Sequence, residues 1–276
     1  MNIWQADFYY LPSLPGQDRE WELTICADSI SKGSDGLIHT ARCTSGNANV
    51  SWLEQQILDA AKRNLPDRLK VFRPQALGLL TTAAANLGIK VEATRNTVVL
   101  KQLLTQKYQN DPNYNPLAID KPPPQPLPEY LWGDRWQIAN IAAGQIVDLF
   151  SDRPIPICQV PPDFYPVNIG IASSVFIPGV VVYGGRTSMQ LASWIAEQSP
   201  AFINYIPTEV GKSGGFILET GLVDRWIFNT FESESAAEIA KNYEQKKRDS
   251  EGLHFLLIQP DDSGITTTAF WLLREV

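Results

Sequence analysis

LHFLLIQPDDSGITTTAFWLLR, from Leu253 to Arg274, sets two apolar runs on either side of a cluster of turn formers, Pro260 to Gly264. In the first run Leu253, Phe255 and Leu257 alternate with His254, Leu256 and Ile258, so both faces of an extended chain carry apolar side chains. Such a strand belongs in the middle of a sheet that is covered on both sides. The return run, Ile265 to Leu273, is rich in β-branched and aromatic residues, and the five-residue loop containing glycine predicts a hairpin between the two.

Upstream, the chain alternates strands and helices. Ile3 to Tyr10, Trp21 to Ala27 and Leu37 to Thr44 read as strands, with Pro12 to Glu20 as the first loop. Ser51-Trp-Leu-Glu54 has the spacing of a capping box, and Leu53, Ile57, Leu58 and Ala61 give the helix behind it a buried stripe. Lys70 to Phe72 is a short strand. Pro74 starts the next helix where its missing N–H does no harm, Leu77, Leu80, Ala84 and Leu87 mark its buried face, and Gly88 closes it. Ile89 to Thr94 is a further strand, followed by a helix from about Thr97 to Tyr108. The order βββαβαβα implies a mixed sheet with right-handed crossovers, and it is the element order of the ribonuclease H-like fold.

Seven of the twenty prolines fall between Asp111 and Pro128, a composition suited to a stiff extended linker. The expected organisation is therefore α/β in two domains: an N-terminal domain over 1–110, a proline-rich linker over 111–131, and a C-terminal domain over 132–276 that closes in a β-hairpin. In the second domain a helix is expected over Ala143 to Phe150 and a strand over Val180 to Tyr183. A second capping box begins at Thr187, strands cover Ala201 to Ile206, Phe216 to Thr220 and Arg225 to Phe231, and a helix covers Glu234 to Arg248. Lys212-Ser-Gly-Gly215 reads as a glycine-rich loop.

Composition narrows the function. Apolar residues make up 44% and charged residues 19%, a globular balance. The formal charge is −7, which argues against sequence-independent coating of nucleic acid and demands a local patch for any RNA contact. Three scattered cysteines and two histidines offer neither a disulfide frame nor zinc-ligand spacing, so no metal and no cofactor is expected. No signal peptide and no membrane span is visible, which predicts a soluble, cytoplasmic protein. A two-metal nuclease needs carboxylates on the first strand, the first helix and the fourth strand. Asp7 and Glu54 are placed for it, but the fourth strand supplies Arg73 in place of an acid, with Glu92 the only substitute.

The opening IWQADFY (Ile3 to Tyr9), FRPQ (Phe72 to Gln75), EATR (Glu92 to Arg95), GLVDRW (Gly221 to Trp226) and the closing stretch together resemble the Tab-type RNA-binding proteins of chloroplasts and cyanobacteria. The resemblance runs from Ile3 to Arg274. It implies a non-enzymatic protein that binds single-stranded A/U-rich RNA and acts in translation of photosystem reaction-centre messages and in photosystem biogenesis. It also implies translation or photosystem assembly factors as partners, and a stromal location in chloroplast relatives. Trp271-Leu272-Leu273 corresponds to the family's C-terminal signature; by its residues alone it reads as the last core strand, and both readings stand. The alternatives are a protein-interaction or assembly factor without direct RNA contact, and a metal-dependent nuclease.

From the residues themselves, Arg73, Arg95 and Arg186 each stand where a strand is expected to give way to a helix. Free N–H groups at a helix start favour an anion, and a guanidinium beside them completes a phosphate site. Lys212, on its glycine-rich loop, is the fourth candidate. Against these readings stands the ordinary structural use of arginine, packed on a carboxylate or a carbonyl.

Overall fold

A computed structural model describes residues 2–11, 20–29, 36–111, 114–151 and 153–275, which divide into two compact units, Met1–Asp120 and Lys121–Val276. The first unit follows the anticipated order: β1 (Ile3–Tyr10), β2 (Glu20–Ala27), β3 (Leu37–Thr44), α1 (Val50–Ala61), β4 (Arg68–Val71), α2 (Pro74–Asn86), β5 (Lys90–Ala93) and α3 (Val98–Lys107). Its sheet runs β3-β2-β1-β4-β5, antiparallel across the first three and parallel from β1 to β4 to β5. The expected loop over Pro12 to Glu20 falls almost wholly outside the described residues.

One face of this sheet buries Trp4, Ala6, Phe8, Leu23 and Ile25 against Leu53 and Ile57 of α1 and Leu80 and Ala84 of α2. Pro74 occupies the first turn of α2, and Gly88 follows its end with φ of +75°. Two local expectations differ. The α1 cap is Asn49, whose Oδ1 accepts from Trp52 N at 3.0 Å, so the helix begins before Ser51 and Glu54 instead accepts from Asn86 on α2. Both residues are good caps, and the earlier one takes the role. Leu58, expected in the buried stripe, is exposed, while Leu53 and Ile57 are buried.

The second unit contains β6 (Gln125–Pro126), β7 (Arg135–Ala142), α4 (Ala143–Ser151), β8 (Ile157–Gln159), β9 (Phe176–Tyr183), α5 (Ser188–Glu197) and β10 (Pro200–Glu209). There follow β11 (Ser213–Thr220), β12 (Asp224–Phe231), α6 (Glu234–Asp249), β13 (Leu253–Gln259) and β14 (Ala269–Arg274). They build a four-stranded sheet, β10-β11-β12-β6, and a five-stranded sheet, β7-β9-β13-β14-β8. All seven residues of β13 are buried. Leu256 and Ile258 enter one core with Trp271, Leu273, Leu191 and Tyr243, while Leu253, Phe255 and Leu257 enter another with Phe270, Leu272, Ile146 and Phe150. The two-faced run therefore lies in the middle of a doubly covered sheet, as its pattern predicts. Its parallel neighbour β9 carries Gly179 opposite Phe255, because a Cβ there would collide with the Phe255 ring.

The hairpin itself is longer in its connection than expected. β14 begins at Ala269, after a stretch in which Ile265 is almost fully exposed. Ser213 to Gly215 lies in β11 and not in a loop, with the Tyr205 ring packed over Gly214. Thr187 makes no side-chain cap; its hydroxyl donates to Gly184 O at 2.9 Å, and a 3-10 turn over Gly185–Thr187 leads into α5. The strand β9 includes Pro178, which is tolerated because the ladder to β13 begins one residue later, at Gly179. No helix among the described residues is long and apolar enough to cross a membrane.

One buried polar network ties β13 to the neighbouring layer. His254 Nε2 accepts from Ile203 N at 2.9 Å, which leaves Nδ1 to donate to Gly252 O at 2.8 Å. Lys247 Nζ, also buried, lies 2.9 Å from Ile203 O, Asn204 Oδ1 and Glu244 Oε1 and 2.8 Å from Glu275 Oε2. Burial, with the nearby lysine, depresses the His254 imidazole from 6.5 to about 3. The folded protein thus keeps this histidine neutral while the unfolded chain takes up its proton below about pH 6.5, so stability is lost as the pH falls through that window toward 3. Between pH 6.5 and 5, where ordinary carboxylates remain ionised, this site should cost roughly 1.5 kcal/mol of unfolding free energy. Urea titrations across that range should show the loss, and His254→Gln, which cannot titrate, should flatten it.

Candidate nucleic-acid interface

The register between β1 and β4 pairs Ala6 with Val71, so Asp7 and Arg73 emerge together just past the end of the ladder. Arg73 is the residue immediately before α2. Its Nε donates to Asp7 Oδ1 at 2.9 Å and Oδ2 at 3.0 Å, and Nη2 donates to Oδ2 at 2.9 Å. The remaining reach of the guanidinium goes to backbone carbonyls: Nη2 to Pro116 O at 2.7 Å and Nη1 to Ala118 O at 3.0 Å. It also lies over the Tyr9 and Phe72 rings. The Asp7 side chain has no exposed surface and that of Arg73 only 12%. Burial pushes the Asp7 carboxyl above its ordinary value, against the pull of the guanidinium.

This arrangement fills with a cation of the protein's own the place where an acid would bring a metal. The other carboxylates weighed for catalysis are engaged elsewhere, Glu54 by Asn86 and Glu92 by Arg68 at 2.7 Å. No group of three or more His, Cys, Asp or Glu able to hold a metal occurs among the described residues. Glu22, on β2, shows the same style of neutralisation. Burial works to raise its carboxyl, but hydrogen bonds from Lys107, Tyr9 and Arg42 prevail and hold it below its usual range.

The four cationic candidates divide between the units. Arg95 follows β5, past the same end of the parallel pair β4–β5 as Arg73, and is half-buried. Arg186 lies in the 3-10 turn between β9 and α5 and is exposed. Lys212 occupies the turn before β11 and pairs with Glu209 at 2.9 Å, both side chains largely in solvent. The echo of strand, arginine and helix is therefore real in topology, but the two arginines differ in employment: Arg73 is sequestered and Arg186 is presented. Trp271, Leu272 and Leu273 lie in the interior of β14 with 0–3% exposure, so the signature triplet is core and has no surface to offer a ligand in this conformation.

Sequence reasoning overlooked a second group of residues. Trp132-Gly-Asp-Arg-Trp136 leads into β7, where Arg135 pairs across the ladder with Tyr183 and lays its guanidinium over that ring, 4.6 Å from the centroid. Arg135 Nη2 also donates to Asp262 Oδ2 at 2.7 Å. Gly185 follows Tyr183 by two residues with φ of +52°, and a side chain there would strike the Asp134 carboxylate. Beside this cluster is a mainly apolar cavity of about 270 Å³, lined among others by Trp132, Trp136, Leu127, Leu191, Ile227 and Asn229. The signal was present in the sequence as two tryptophans flanking an arginine within five residues.

Exposed arginine and lysine at strand ends, with aromatic faces around a cavity, are the parts of a ligand-binding protein. The chain belongs to the RNA-binding protein Tab2/Atab2 family, whose N-terminal domain matches residues 3–107 and whose C-terminal domain matches residues 114–274. It is 27% identical to the chloroplastic protein TAB2 homolog of Zea mays, over 99% of this chain and 71% of that protein. The corresponding TAB2 homolog of Arabidopsis thaliana is also 27% identical, over 99% of this chain and 74% of its own length. Among solved structures, a trimeric HTLV-2 integrase catalytic core with magnesium aligns with 41% of this chain and 76% of its own, at 14% identity and a TM-score of 0.25, too low to support any inference.

Removing Arg73 strands a buried carboxylate. Arg73→Gln should therefore lower the unfolding free energy by roughly 3–5 kcal/mol, and Arg73→Leu combined with Asp7→Leu should recover most of that. Arg186→Gln, on the surface, should stay within about 0.5 kcal/mol of the parent. Denaturant titrations of the four proteins check all three outcomes.

Proposed function

We propose that this chain binds single-stranded, A/U-rich RNA without enzymatic activity and acts in the translation of photosystem reaction-centre messages and in photosystem biogenesis. The observation that carries the reading is the family match, which covers both units and nearly the whole chain. Its relatives are chloroplastic proteins, in agreement with a role beside organellar or cyanobacterial translation.

The physical chemistry favours a compact contact. At −7 the protein repels a polyanion at long range, so attraction must come from cations held close to the phosphates. Arg73 has its donors committed to Asp7 and to two carbonyls, which moves the RNA-contacting role to the other candidates, Arg186, Lys212 and Arg95, together with Arg135. Exposed pairs such as Lys212 with Glu209 are worth little in water and exchange readily for a phosphate.

Fluorescence anisotropy of the purified chain with a labelled A/U-rich strand tests the proposal, with a G/C-rich strand and a duplex as competitors. Three or four phosphate contacts predict a log–log salt slope of roughly −2 to −3 for a single strand. Replacing Arg186 and Lys212 together by Gln should flatten it by about 1.4, with the melting temperature unchanged. Absence of binding, or equal affinity for all three nucleic acids, would overturn the reading.

A further inference from the structure

We infer that the cavity beside Trp132 is a receptor for one unstacked nucleobase, an inference that rests on the RNA-binding reading and gives it a location. The volume sets the scale. At about 270 Å³ the cavity lies just below the range of pockets that take drug-sized ligands, which leaves room for one small planar ring system and not for several.

The walls suit a base in three respects. Trp132 is 62% exposed, yet its Nε1 donates to Leu127 O at 3.0 Å, and Leu127 and Leu131, just before it in the chain, are buried. An exposed indole held in place is a stacking platform whose ordering cost is already met by the fold. Trp136 is fixed too, edge-on to Phe216 at 5.4 Å and tilted against Phe231 at 5.9 Å.

The second respect is an unanswered donor. β12 carries a bulge: Phe216 pairs with Asn229 and Ile217 with Ile227, leaving Phe228 as the extra residue. Bulges re-aim the side chains that follow them. Here the next residue is Asn229, which lines the cavity and whose Nδ2 is buried with no hydrogen-bond partner. That nitrogen has no surface open to the cavity as the side chain stands, so a base reaches it when the Asn229 amide turns toward the cavity that the residue lines; ring nitrogens and carbonyls on the edge of a base are acceptors of the kind a buried amide donor lacks. The neighbouring strand β6 pairs only with Trp226 and Ile227 and ends in Pro126, so among the described residues no strand continues beside that edge of β12 from Phe228 to Thr230.

The third respect is charge at the rim. Arg135 lines the same cavity, and its side chain is 57% exposed while its partner Asp262 is 67% exposed. A pair so hydrated is weak, and the phosphate attached to the inserted base can replace the carboxylate. An apolar side chain of a protein partner would use the walls but offer no acceptor to Asn229 and no anion to exchange for the Asp262 carboxylate on Arg135, which is why the base is preferred.

The test uses the full chain and three variants, Trp132→Ala, Trp132→Phe and Asn229→Leu. Each is titrated with adenosine 5′-monophosphate, followed by tryptophan fluorescence, and with an A/U-rich strand carrying one 2-aminopurine. The expected result is saturable binding of the mononucleotide and quenching of the 2-aminopurine by the parent. Trp132→Ala should lose about tenfold or more in affinity, Trp132→Phe should restore part of it, and Asn229→Leu should lose affinity while melting no lower than the parent. Strand binding that is unchanged in all variants would overturn the base receptor and leave the RNA-binding reading intact. Failure of the parent to bind the strand, with the mononucleotide still bound and weakened by the variants, would overturn the RNA-binding reading alone. Binding of neither overturns both, and a response to N-acetyl-leucinamide without one to the mononucleotide would assign the cavity to a protein side chain and overturn the inference.

Discussion

A strand whose two faces are both apolar has one stable place, between two layers, and the second unit is arranged around that constraint. β13 receives α4 and its core on one face and α5, α6 and the four-stranded sheet's core on the other. Because β13 needs paired neighbours on both edges as well, β9 and β14 are fixed in register against it, and β9 in turn aligns β7. Arg135, at the start of β7, and Arg186, just past the end of β9, stand at the ends of these strands. Their positions follow from the burial of seven residues far from them in sequence.

Charge is handled in a corresponding way in both units. The carboxylates buried among the described residues are each met by cations of the chain: Asp7 by Arg73, Glu22 by Arg42 and Lys107, Glu219 by Arg225 and Lys121. Of these cations Arg73 and Arg225 are the most withdrawn from solvent, at 12% and 17% exposure, while Arg42 keeps more than half of its side chain in water. Burial of an ion pair is weak evidence for stability, because desolvation offsets attraction, but breaking one is costly. Arg73 also grips the chain at Pro116 and Ala118, so the same group that neutralises Asp7 fastens the end of its unit.

Much of this was legible in the sequence, for identifiable reasons. Alternation in Leu253 to Ile258, proline at the start of α2 and the order βββαβαβα are local patterns, and local patterns report local geometry. The strand β7, with its mixed RWQIANIA, carries no clean period because its residues are neither all buried nor alternately so. Gly214 and Gly215 read as a loop by composition, although close strand approach is what requires them. Asp7 and Arg73 were each noticed, but only the β1–β4 register joins them, and the cavity draws on segments about a hundred residues apart. Contacts of that separation leave no mark on a single sequence.

The interior place of β14 bears on the order of events during synthesis. β14 lies between β13 and β8, and β8 pairs with no other strand of the sheet. Asp120 leaves the ribosome 154 residues ahead of Arg274, on the order of 10–30 s at bacterial or organellar elongation rates. Through that interval the first unit has every strand it needs, whereas β8 and, once it emerges, β13 wait for a partner that arrives last. The protein thus becomes competent in two instalments, and the cell must shelter the apolar run Leu253 to Ile258 until the second is complete.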